Sequence, residues 1–124
     1  MAVTVIKANQ NIVATTVVQD TEANSTAQDN TTGAAGSLYT VEVDNTGNTT
    51  YVYFKMADTI NATGSTTPAD LVFAASGSAV SNYNMPAGVS FVNGFSHWCV
   101  TSPTGSSVAN PGSAVTVRYT VIDA

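Results

Sequence analysis

His97, Trp98 and Cys99 follow one another, and an imidazole two residues from a thiol is the pairing in this chain whose residue types could support covalent chemistry. On a strand the two side chains project from one face about 6.5 Å apart, since the rise is about 3.3 Å per residue. A nucleophilic thiolate needs its base at hydrogen-bond contact. The spacing therefore argues against mutual activation. Cys99 is expected to fill core space, as unpaired cysteines usually do, and His97 to lie at a sheet rim or subunit contact. No enzymatic activity is expected.

Carboxylates are the next candidates. Asp44 opens the run Asp44-Asn45-Thr46-Gly47-Asn48, which superficially resembles a metal loop. One carboxylate with Asn and Thr is too few ligands for calcium, and a hairpin turn explains the same residues. Glu42 and Asp44 share a strand face, and Asp20 lies two residues from Glu22. Without partners these read as solvated charges rather than a glycosidase pair. Cys99 is the single cysteine, which excludes an internal disulfide and leaves a structural zinc site without thiolate partners. No cofactor or metal is expected. Four sequons, at Asn24, Asn30, Asn48 and Asn61, are close to the number that 11 Asn and 31 Ser or Thr produce by chance, and no glycan is assigned to them.

Ten aromatics are present, and a sandwich core with its contacts consumes about that many. Tyr51 and Tyr53 stand apart. They alternate with Val52, Phe54 and Met56, so if the latter face the core, both tyrosines and Lys55 point outward and want a partner surface or ligand.

The elements that must position these residues follow from composition. Of 124 residues only 9% are charged, and Thr, Ser and Asn supply 42, against about 25% charged residues in an ordinary soluble domain. Valine is abundant and leucine scarce, 17 against 2, which favours strands, because branched side chains suit a pleated surface and lose rotamer freedom in a helix. The length fits one domain. A net charge of −5 with only Lys7, Lys55 and Arg118 as cations offers no basic stripe for nucleic acid or an anionic bilayer. No apolar run approaches the roughly 20 residues of a membrane span, and the N-terminal residues lack a signal-peptide layout. Neither a nucleic-acid nor a membrane partner is expected, and synthesis in the cytoplasm is.

Along the chain, residues 1–18 hold two apolar bursts, Val3, Val5, Ile6 and then Ile12, Val13, Val17, Val18, which fit docking strands or an extended N-terminal arm. Residues 19–37 carry no large apolar residue and read as a polar loop or tether. The body is 38–124. Tyr39, Val41 and Val43 alternate with Leu38, Thr40 and Glu42, the 44–48 run predicts a hairpin, and Tyr51–Met56 is its return strand. Strands follow at 71–75, from the Ser76-Gly77-Ser78 turn to Tyr83, over Val89 and Phe91, from Phe95 to Thr101, and at 115–121. Such short strands between Gly, Pro and Asn turns predict an all-β fold, a single two-sheet antiparallel β-sandwich of jelly-roll type.

The stretches SLYTVEVDNTGNTTYVYFKMAD (37–58), PADLVF (68–73), YNMPAGVSFVNGFSHWCVTSPTG (83–105) and AVTVRYTVI (114–122) resemble small β-sandwich structural proteins of tailed bacteriophages and cyanophages. The resemblance implies a virion component, a capsid decoration or cement protein on the exterior of the head. It implies the major capsid protein as partner and self-association as a homotrimer, and it carries no active-site residues across. The low charge suits burial at subunit seams, where an unpaired charge is costly, and an arm that orders on binding can wrap a neighbour. The interface residues expected are Val3, Val5, Ile6, Ile12, Val13, Tyr51, Tyr53 and His97. The alternative is a phage tail, fibre or adhesin module that binds a host-surface glycan through Tyr51 and Tyr53.

Overall fold

A computed structural model describes residues 16–104 and 108–124. Every regular element among them is a strand: β1 (Thr16–Ala23), β2 (Gly36–Asp44), β3 (Val52–Asp58), β4 (Leu71–Ala75), β5 (Val80–Phe91), β6 (Phe95–Val100) and β7 (Val115–Asp123). Two antiparallel sheets pack face to face, one ordered β1-β7-β2-β5 and the other β4-β3-β6. The expected sandwich is the fold. No helix among the described residues is long and apolar enough to cross a membrane.

The period-two pattern explains which side of each strand is inside. In β7, Val115, Val117, Tyr119 and Val121 are buried while Arg118 is exposed. From β2 come Leu38, Val41 and Val43, and from β3 Val52, Phe54 and Met56, all in the same core. Full burial of such a side chain contributes about 1.5–3 kcal/mol. The winding nests β3 and β6 in one sheet against β2 and β5 in the other, with β1 beside β7, which is a jelly-roll path.

Two expectations are corrected here. The 44–48 run does not close a hairpin, because β2 pairs with β5 and β7 while β3 pairs with β4 and β6. It is an arch between layers, and its asparagines hold it. Asn45 is wholly buried; its amide donates to the carbonyls of Thr50 (2.9 Å) and Ser76 (3.1 Å). Asn48 donates to Asn45 Oδ1 (2.8 Å) and to the Ser113 carbonyl (3.1 Å). Local turn chemistry cannot distinguish a hairpin from an arch, since both need the same Asn and Gly backbone freedom.

The tether over 19–37 is likewise built into the sandwich. Its first residues belong to β1, where Gln19 pairs with Arg118 and Asp20 with Val117. The chain then crosses to the other sheet and runs along the free edge of β6. The amide of Cys99 donates to Asn24 O (2.8 Å), that of Gln28 to His97 O (2.8 Å), and that of Thr31 to Phe95 O (2.8 Å). This segment occupies the place of a missing strand between β1 and β2, its polar residues bonded to backbone rather than packed in a core. The arm residues Val3, Val5, Ile6, Ile12 and Val13 lie outside the described residues.

Candidate functional site

All six residues of β6 are buried, Phe95, His97 and Cys99 toward the core and Ser96, Trp98 and Val100 on the opposite face. His97 is 1% exposed, so it is neither a rim residue nor a surface contact as expected. Its Nε2 lies 2.9 Å from Asp20 Oδ2 and its Nδ1 2.9 Å from the Tyr119 hydroxyl, which in turn bonds Thr31 Oγ1. A carboxylate only accepts. Nε2–H therefore donates to Asp20, and the neutral ring accepts the Tyr119 proton at Nδ1. Burial lowers the His97 pKa and outweighs the opposing hydrogen bond and charge of Asp20. The chain Asp20–His97–Tyr119–Thr31 thus joins β1, β6, β7 and the β1–β2 crossing. Tyr119 is also held protonated, its pKa raised chiefly by burial. These groups satisfy one another inside the fold.

Cys99 has no activating partner. Burial first, and the Asp20 charge second, push its thiol up to about 12, and a thiol so raised is inert near neutral pH. Asp44 accepts from the Thr46 amide (3.1 Å) and hydroxyl (2.6 Å), bonds that lower its pKa despite slight desolvation. This is an Asx turn. Among the described residues, no three His, Cys, Asp or Glu side chains converge as a metal cluster.

Lys55 points away from the core as expected but does not reach solvent, being 1% exposed. Its Nζ donates to Thr104 O (2.7 Å), and desolvation lowers its pKa. Beside it in register is Trp98, packed with Ala57, Ala62 and Val100 against Ala27 and Ala69. Long connections therefore roof the outer face of the smaller sheet over β3 and β6. The Trp98 indole N–H is buried there without a hydrogen-bond partner among the described residues.

The roof stops short of β4. Tyr51 is 52% exposed and Val72 48%, Tyr53 is half-buried and Ala74 exposed, and Tyr53 pairs with Ala74 in register. The Tyr51 and Tyr53 rings stack with centroids 6.3 Å apart. Both tyrosines therefore stand on the surface, as their alternation with Val52 and Phe54 predicts, in an apolar patch.

The outer face of the larger sheet carries a feature that sequence reasoning missed. One depression of about 370 Å³ is lined by Tyr39, Thr40, Asn84, Met85, Pro86 and Ile122. A second, of about 320 Å³, shares Thr40 and Asn84 with it and adds Glu42, Asn82, Arg118 and Thr120. A bulge creates this groove. Leu38 and Thr40 face successive residues of β7, Val121 and Thr120, so Tyr39 is extra, and such a residue re-aims its side chain. On the β5 side the partners are Val89 and Asn84, and the intervening Met85–Gly88, which read as the end of a strand, continue β5. Comparisons with known proteins identify no relative: no family model, curated protein or solved structure matches this chain.

Proposed function

We propose that this protein is a non-enzymatic structural component of a phage virion, a decoration or cement protein seated on the outer surface of the head. There it forms a homotrimer and stabilises contacts between subunits of the major capsid protein. The resemblance of the body segments to phage β-sandwich proteins supplies the class. The observation that carries the reading is the patch of Tyr51, Tyr53, Val72 and Ala74 beside β4, where two stacked rings and small apolar side chains lie exposed. Exposed apolar clusters mark protein contacts, and tyrosine is enriched in them. The chemistry-bearing side chains lend a second support, since His97, Cys99 and Lys55 are all sealed inside. Fold alone does not choose, because jelly rolls serve capsids and lectins alike.

Cryo-electron microscopy and mass spectrometry of purified virions of the phage that encodes the chain test this reading. Density for the sandwich is expected above the capsid lattice, with Tyr51 and Tyr53 at the contact. Replacing both tyrosines by serine is expected to lower the copies per head at least about tenfold, as losing 1.4 kcal/mol of contact energy does. Absence of the protein from the virion overturns the proposal.

A further inference from the structure

We propose that the groove across the outer face of the larger sheet binds a neutral oligosaccharide, with the face of one sugar ring on Tyr39 and hydroxyls on Asn82, Asn84, Glu42 and Arg118. This inference does not rest on the virion reading. It starts from hydrogen-bonding groups left unused. Side-chain amides of Asn24, Asn45, Asn48, Asn93 and Asn110 hold the backbone, while those of Asn30 and Asn61, outside the groove, bond no described residue. The side chains of Asn82 and Asn84 make no hydrogen bond to the described residues, although both line the groove.

Glu42 and Arg118 face each other in register yet are not in ion-pair contact; among the described residues the one contact of that kind joins Asp20 to the neutral His97. A carboxylate that accepts beside a guanidinium with five donors matches vicinal hydroxyls, which both donate and accept. Glu42 beside Arg118 disfavours an anionic ligand, since it offsets the only exposed cation among the described residues. An apolar peptide fits worse, because it would bury these polar groups without partners.

The other end of the groove supplies what a sugar's C–H face needs. Tyr39, Met85, Pro86 and Ile122 form an apolar wall, and pockets for small ligands combine such walls with a few placed polar groups. The Tyr39 ring lies against β5. Gly88 has φ +76, and a Cβ there would stand 2.9 Å from Tyr39 Cζ and 3.1 Å from its hydroxyl oxygen. Only glycine lets the ring lie this close to β5. Thr40 and Thr120 bond each other across the groove floor. A site on strands loses little freedom on binding. The Tyr51–Tyr53 patch has the ring surface without such polar groups beside it, which is why the sugar site is assigned to the larger sheet.

A printed array of neutral gluco-, galacto- and manno-oligosaccharides beside sialylated ones, followed by calorimetric titration of the strongest neutral binder, tests the proposal. One or more neutral oligosaccharides should be retained by the full chain. Tyr39→Ala and Arg118→Ala should each weaken binding at least tenfold, and Asn84→Ala several-fold, with unchanged circular dichroism. The Tyr51→Ser/Tyr53→Ser variant, which tests the virion contact, should bind sugar as the parent does. Retention of no neutral oligosaccharide, of sialylated ones only, or of the same sugar at parental affinity by folded Asn84→Ala and Tyr39→Ala, overturns the proposal.

Discussion

The two sheets of this sandwich turn very different outer faces to their surroundings. Over β3 and β6 the outer side chains of Lys55, Ala57, Ser96, Trp98 and Val100 are buried beneath connections, with Tyr53 half-buried at the margin. Across β7, β2 and β5 they include Arg118, Glu42, Asn82 and Asn84, all exposed. The same uncharged polar residues serve both faces. In the roof, Asn24 and Asn110 hold backbone amides at 2.8 Å, as the carboxylate of Asp29 also does, while in the groove Asn82 and Asn84 hold no described residue. A polar surface with few charges is thus two materials, one that builds a covering layer and one left exposed.

The largest test of that contrast is Trp98→Ala against Tyr39→Ala. Truncating the buried indole should cost about 3–5 kcal/mol, despite removing an unsatisfied N–H, whereas Tyr39→Ala should stay within about 1 kcal/mol, nearer a surface change. Urea unfolding of both variants measures the difference. Equal losses would remove the distinction between a roofed face and a bare one.

Acidification should loosen the roofed side first. The folded state holds His97 below its ordinary pKa near 6.5, so below that pH the unfolded chain binds the proton more readily. Stability is then fully present above about pH 6.5 and falls as the pH drops through the folded value, by at most about 1.4 kcal/mol per pH unit for one group. Hydrogen exchange from pH 7 to 5.5 should show residues 24–31 and β6 losing protection before β2 and β5. His97→Gln should abolish this part of the pH dependence.

The smallest effect expected is at Lys55. Among the described residues its ammonium bonds Thr104 O alone, and a buried charge gains little over an apolar side chain of similar length. Lys55→Met should melt within about 1 kcal/mol of the parent. A loss of several kcal/mol would show the roof to depend on the charge.

Much of the fold was legible in the residues. The alternation in Tyr39–Val43 and Val115–Val121 located β2 and β7, although the bulge sets Leu38 rather than Tyr39 on the inner face with Val41 and Val43, and the Val52, Phe54, Met56 triplet placed Tyr53 and Lys55 on the outer side. β1 was legible only at its start, where Val17 and Val18 belong to the stretch expected to hold docking strands; from Gln19 on no apolar pattern marks it, because its inner face ends at Asp20 in a polar bond to His97. His97 itself became a buried residue only because β1 and β7 bring Asp20 and Tyr119 to its two nitrogens. The groove was hidden for a similar reason: Tyr39, Asn84 and Arg118 are distant in sequence, and a bulge against two neighbours brings them together.

By itself, the sequence determined an all-β sandwich, most strand segments of the 38–124 body, the scarcity of cations and the outward aim of Tyr51 and Tyr53. Each of these depends on composition or on a period of two, which are local properties of a chain. The tertiary structure decided that 44–48 is an arch, that 24–31 replaces a strand, which outer face is covered, and where unused polar groups converge. Those outcomes depend on where connections run across a sheet and which strands become neighbours. Alternation states only that a strand has two sides; what lies against each side is set by residues far away in the chain.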